Sequence, residues 1–158
     1  MSATTIQHSK KHPPGLYLLF FTEMWERFSY YGMRGILVLY LTSELFAGGL
    51  GMSATTAMSI YGFYTGAVYI TPLIGGWLSD MYLGTRLAIT IGGISMALGN
   101  FFIFLQQEKW ALFVGMALLI IGNGFFKPNI SSIVGDLYDT TDPKRDAAFT
   151  IFYMGINI

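Results

Sequence analysis

The sequence predicts an all-α integral membrane protein, on three observations. The 158 residues are 53% hydrophobic and only 11% charged, with a mean hydropathy of +0.52, whereas soluble domains devote about a quarter of their residues to charge. Apolar runs follow one another between short polar or glycine-rich breaks, several of them reaching the roughly 20 residues that a helix rising 1.5 Å per residue needs to cross a bilayer. The few charges inside the first run share one helical face. Formal net charge is zero and no Lys/Arg block occurs, which removes the clustered cations that nucleic-acid binding requires. There are no cysteines, hence no disulfides and no thiolate metal sites. His8 and His12 read as residues of a polar leader and not as a metal site.

That leader, residues 1–14, is expected to be a cytoplasmic tail, and residues 15–158 an incomplete transmembrane bundle with helices at about 15–43, 53–81, 86–107, 110–138 and 144–158. Pro13 and Pro14 set the start of the first helix, because a first turn has no partner for the N–H that proline lacks. Within that helix Glu23, Arg27, Tyr30 and Arg34 fall at i, i+4, i+7 and i+11, with Glu26 and Tyr31 flanking the stripe. A charge facing lipid at mid-helix costs about 2.5 to 3.5 kcal/mol, so the stripe is expected to face the bundle or a water-filled path.

Gly48, Gly49 and Gly51 suit a turn before the second helix. That helix is uncharged until Asp80. Its inward candidates are Tyr61, Tyr64 and Tyr69, Thr71-Pro72 is expected to kink it, and Gly62 and Gly66 form a Gly-x-x-x-Gly pair that admits a close neighbour. The third helix is uncharged and is assigned to packing. A hairpin at Gln106-Gln107-Glu108-Lys109 leads to the fourth, where Lys127 and Pro128 lie deep in an apolar run. Pro128 deprives the Gly124 carbonyl of its usual donor, and the backbone there is expected to open toward a cavity. The dozen apolar residues after Asp146 are too few to span. Placing the leader and the 2–3 and 4–5 connections on one side gathers Lys10, Lys11, Arg86, Lys144 and Arg145 there against Lys109 opposite, which makes that side the cytoplasm.

Inside the membrane Glu23 and Glu26 stand against Arg27, Arg34 and Lys127, one positive charge in surplus, which an anionic end of a substrate would balance. Tyr30, Tyr31 and Tyr69 add hydroxyls on apolar rings and Asn157 an amide. This lining suits a zwitterion with variable side chains. Burial favours a protonated carboxyl and a nearby cation favours the carboxylate, so movement of one helix against another can bind or release a proton at the glutamates. The same residues also fit a fixed structural network, and the tyrosines also fit simple packing. A hydrolase with Glu23 and Glu26 as acid and base fits poorly, since both lie on one helix a turn apart with no facing partner.

Glu23-Met24-Trp25-Glu26-Arg27-Phe28, followed by Tyr30-Tyr31-Gly32, resembles the first-helix signature of the proton-dependent oligopeptide transporters, a branch of the major facilitator superfamily. Gly76, Asp80, Gly84 and Arg86 are similar to the loop signature of that superfamily, and Ala148 to Asn157 resembles the family's fifth-helix signature. The resemblance implies a major facilitator N-terminal helix bundle truncated within the fifth transmembrane helix of a protein with twelve or more helices. It implies proton-coupled symport of di- and tripeptides across the cell membrane by alternating access, with protons as the coupling ion, no further cofactor or metal, and no enzymatic activity. Carried onto this sequence, Glu23 and Glu26 would couple protons. Arg27, Arg34 and Lys127 would meet the peptide carboxylate or form ion pairs, and Tyr30, Tyr31, Tyr69 and Asn157 would contact peptide. Asp80 and Arg86 would gate. The expected partners are the peptide, protons, the lipid bilayer and the C-terminal half of the same transporter, where the family places the acid for the peptide amine. A same-fold transporter of nitrate or a small carboxylate remains the alternative; the paired tyrosines and the complete Glu-x-x-Glu-Arg pattern favour peptides.

Overall fold

A computed structural model describes residues 11–105 and 108–157. The leader up to Lys10, including His8, the Gln106-Gln107 part of the hairpin, and Ile158 lie outside the described residues. The helices are α1 (Pro14–Thr42), α2 (Ala54–Leu78), α3 (Thr85–Leu105), α4 (Lys109–Asp136) and α5 (Arg145–Asn157), with a 3-10 turn at Leu45–Ala47 and a π turn at Ser79–Leu83. No strand occurs among the described residues. With mean hydropathies of 1.8 and 1.6, α3 and α4 are long and apolar enough to cross a membrane. At 29 and 25 residues, α1 and α2 are also long enough, about 43 and 37 Å; the ionisable stripe of the first and the tyrosines and threonines of the second lower their hydropathy.

Residues 29–131 form one unit. Its core joins Tyr30, Leu37 and Leu41 of α1 to Ala57, Tyr64 and Val68 of α2 and to Leu112, Met116 and Leu119 of α4, with Leu50 of the loop. The loop earns that place by folding back on α1: the N–H groups of Leu50, Gly51 and Met52 bond the carbonyls of Tyr40, Ser43 and Leu41 at 3.0, 2.8 and 2.9 Å. Gly48 and Gly51 take positive φ there (81° and 60°), which other residues reach only with strain. Ser53 then caps α2 through the Thr56 N–H at 3.2 Å, satisfying a first-turn donor.

Close helix contact in this unit is made backbone to backbone at glycines. α3 and α4 run antiparallel through two reciprocal pairs. A methyl group at Gly92 would lie 2.8 Å from the Gly122 carbonyl and one at Gly122 2.7 Å from that of Gly92; for Gly99 and Gly115 the figures are 2.8 and 2.7 Å. α2 and α4 run parallel. Thr71 Oγ1 donates within its own helix to Ala67 O at 2.9 Å and reaches Ile120 O of α4 at 3.1 Å, a methyl group at Gly75 would fall on the Gly124 carbonyl, and Ser79 Oγ donates to Asn129 Oδ1 at 2.6 Å. Among the described residues Gly62 and Gly66 are exposed with nothing within 4 Å, and α2 meets α4 at Gly75. One expectation is corrected here. The Gly124 carbonyl, left without an N–H by Pro128, is pressed on Gly75 instead of opening toward a cavity.

The second helix also ends differently from the expected span to 81. α2 stops at Leu78, and the π turn closes with the Gly84 N–H on Ser79 O at 2.8 Å, Gly84 taking φ 74°. The stretch between α2 and α3 is thus a widened helical turn that presents Asp80, Met81 and Tyr82 outward.

Residues 11–28 and 132–157 belong to the other unit. α5 meets α1 at Gly155, where a methyl group would lie 3.0 Å from Phe20 O, and the first turn of α1 meets Leu137 at Gly15. His12 Nδ1 and the Tyr138 hydroxyl are 2.8 Å apart, tying the start of α1 to the residues after α4. Burial, reinforced by the charge of Asp142, pushes the Tyr138 phenol above its usual pKa, so the hydroxyl keeps its proton. The Asp142 carboxylate accepts from the Lys144 N–H at 2.9 Å just ahead of α5, an Asx-type turn.

Gly75→Ala and Gly122→Ala should each destabilise the protein by about 1 to 3 kcal/mol, the usual cost of overpacking a tight contact. Gly62→Ala and Gly66→Ala should be neutral or stabilise by up to about 1 kcal/mol, as helix propensity dictates. Thermal unfolding in detergent reads both; equal effects at all four positions would sink the glycine assignment.

Candidate functional site

In the unit of residues 11–28 and 132–157, one turn of α1 carries Glu23, Glu26 and Arg27, at 2%, 8% and 6% exposure. Arg27 Nε stands 3.3 Å from Glu23 Oε1 and donates to Glu26 Oε2. The i, i+4 spacing brings the first acid beneath the guanidinium, and adjacency brings the second beside it. Two buried carboxylates thus share one arginine. The charges stay in the interior because they answer one another, and removing Arg27 would take a countercharge from both carboxylates.

In the unit of residues 29–131, Arg34 and Lys127 rest on tyrosines of α2. Arg34 Nε donates to the Tyr61 hydroxyl at 2.6 Å, and its guanidinium carbon is 5.7 Å from that ring's centroid. Lys127 Nζ stands 5.1 Å from the centroid of Tyr69. A cation held on a ring face is attracted by the ring quadrupole, and a guanidinium or ammonium carries several N–H groups, more than one such contact uses. Tyr30 is buried in the core, whereas Tyr31, its ring 5.4 Å away, is exposed.

The three inward tyrosine candidates of α2 therefore divide. Tyr64, at 2% exposure, is core; Tyr69 carries Lys127; Tyr61, given no site role from sequence, holds Arg34. Its signal was the need of every cation in an apolar helix for a ring or an acid. Asn129 and Ser79, both buried, were missed as well, although an amide directly after Lys127-Pro128 in an apolar run marks a polar group in need of a partner. Asp80 and Arg86 are exposed at the connection of α2 to α3. Asn157, exposed, donates to Tyr153 O of its own helix at 2.9 Å. A groove of about 310 Å³ lined by Ser59, Ile60, Phe63, Phe113, Met116, Ala117 and Ile120 contains no titratable group, and none of the candidate residues lies in it. No cluster of potential metal ligands occurs among the described residues.

Apolar helices packed at glycines, with ionisable and aromatic groups set into them, define a multi-helix membrane protein. The model of the POT family matches residues 86–158. The uncharacterized transporter YclF of Bacillus subtilis is 50% identical over 93% of this chain, and a di-/tripeptide transporter of Lactococcus lactis subsp. lactis is 47% identical over 92%. The crystal structure of a peptide transporter POT in complex with sulfate superposes with a TM-score of 0.90 at 50% identity over 96% of this chain. The chain belongs to the POT family, the proton-dependent oligopeptide transporters. It spans about 30% of the length of the two relatives and 31% of the crystallised chain.

Arg27→Gln should destabilise the protein by about 3 to 5 kcal/mol, the cost of breaking a buried ion pair. Combining it with Glu23→Gln and Glu26→Gln should recover most of that loss, since amides need no countercharge. Unfolding midpoints in detergent decide; a triple variant no more stable than the single one would show that Arg27 matters for its shape and not its charge.

Proposed function

We propose that this chain is part of a proton-coupled symporter of di- and tripeptides that works by alternating access. The observation that supports it best is the buried Glu23-Glu26-Arg27 cluster on α1, a titratable group of acids deep in an apolar helix. On this reading Glu23 and Glu26 bind and release the driving proton as Arg27 is shared or withdrawn. Arg34 and Lys127, poised on Tyr61 and Tyr69, meet the peptide carboxylate, and Tyr30, Tyr31, Tyr69 and Asn157 contact the rest. Aromatic walls between fixed charges suit peptides of differing side chains. The Lactococcus relative, a di-/tripeptide transporter, favours the same substrate class.

The rest of the machine, including the acid that would meet the peptide amine, belongs to a longer polypeptide of which the relatives' additional length gives the scale. Asp80 and Arg86 serve the gate, protons are the only coupling ion, and no cofactor or catalysis is involved. The lysine and arginine distribution supports a cell-membrane protein with the N-terminus and the α2–α3 and α4–α5 connections in the cytoplasm.

The test is uptake of labelled dipeptide by the full-length protein in liposomes under an imposed proton gradient. Accumulation of dipeptide is expected; accumulation of nitrate or a small carboxylate in its place would overturn the reading. Glu26→Gln should abolish accumulation against a gradient while downhill peptide exchange persists, because glutamine keeps the reach of the side chain but cannot titrate. A variant that still concentrates peptide would remove Glu26 from the coupling step.

A further inference from the structure

One seam joins the Lys127 segment of α4 to the turn that carries Asp80. Along the parallel α2/α4 pair, contacts recur about once per turn: Thr71 with Ile120, Gly75 with Gly124, and Ser79 with Asn129. A methyl group at Gly76 would meet the Pro128 ring at 3.3 Å. Asn129 is held along the seam at both ends of its amide, its Nδ2 donating to Phe125 O at 2.7 Å and its Oδ1 accepting from Ser79 Oγ at 2.6 Å. Ser79 in turn is the first residue of the π turn, and its carbonyl accepts the Gly84 N–H that closes it. Both side chains are buried, at 3% and 1% exposure, so neither can exchange its bond for water.

We infer that Asn129 and Ser79 are positioning residues that couple the Lys127-Pro128 segment to the π turn bearing Asp80. Pro128 has already removed one backbone bond from α4 at this level, so the segment can tilt without breaking another. A tilt that shifts Lys127 on Tyr69 carries Asn129 with it, because only Pro128 lies between them. Asn129 has one orientation in which both of its bonds survive, so Ser79 follows, and the closure of the π turn follows Ser79. Asp80 is thereby held in one place when Lys127 is seated and released to another when it is not. This rests on the transporter reading for its purpose, but the mechanical coupling does not require the solute to be a peptide.

The experiment uses the full-length protein in a background without other cysteines, with Met81→Cys as a reporter beside Asp80; Met81 is exposed. The rate of thiol labelling is compared with and without Lys127→Ala, in backgrounds carrying native residues, Ser79→Ala, Ser79→Thr or Asn129→Ala. Lys127→Ala should change the rate about fivefold with native residues, the size expected for a coupling of this kind. The same change should persist with Ser79→Thr, which keeps the hydroxyl. With Ser79→Ala it should fall below about 1.5-fold, within the range of independent sites, and Asn129→Ala should match it if that variant folds. A change of equal size in the Ser79→Ala and Ser79→Thr backgrounds overturns the coupling. Because labelling needs no solute, failure of dipeptide uptake by the native protein would count against the peptide reading and leave this result to be judged on its own.

Discussion

Contact between helix backbones along α4 is what the arrangement of residues 29–131 depends on. Lipid tails are as apolar as leucine, so helices gain little from hiding apolar side chains from them, and association must come from close approach and from polar bonds. α4 meets α3 through Gly115 and Gly122 and meets α2 through Gly124. These positions leave little room for a Cβ, and each exchanges side-chain bulk for contact along the whole backbone. The helix with the most such contacts also carries Lys127, Pro128 and Asn129, so the residues with chemistry to perform lie on the element with the least freedom to move alone.

The same scarcity of water governs the charges. Glu23, Glu26 and Arg27 are kept as a cluster because separate charges in hydrocarbon would be expelled or neutralised. Arg34 and Lys127 are kept by tyrosine rings, a looser form of compensation. An ion pair satisfies a charge by consuming it, whereas a ring leaves most of the donor set unspent. On the function proposed above, the two kinds of site take different tasks, proton exchange within the acidic cluster and capture of an anion at the ring-held cations.

Polar side chains that bond backbone or one another across helices complete the frame. Thr71 bridges to Ile120 beside a proline, Ser79 to Asn129 below it, and His12 to Tyr138 in the other unit. None of these pairs is near in sequence, the separations being 49, 50 and 126 residues. Each lies at a place where a proline, a π turn or a helix end leaves backbone groups in need of partners.

The sequence by itself determined the helical class, the succession of helices and the face on which the ionisable residues of α1 lie, because those follow from hydropathy and from a fixed rotation per residue. It also marked Arg34 and Lys127 as charges needing partners. Tertiary structure decided which partners they found: Tyr61 and Tyr69, with Tyr64 turned to the core, since three tyrosines on one helix are equivalent until a neighbouring helix is placed. It decided that α2 approaches α4 at Gly75, for a glycine pattern states only that approach is permitted. It placed Asn129 on Ser79, a pairing of groups 50 residues apart. Periodicity is a local property and legible along the chain, whereas the identity of a contact depends on the packing of one helix against another, which no local pattern contains.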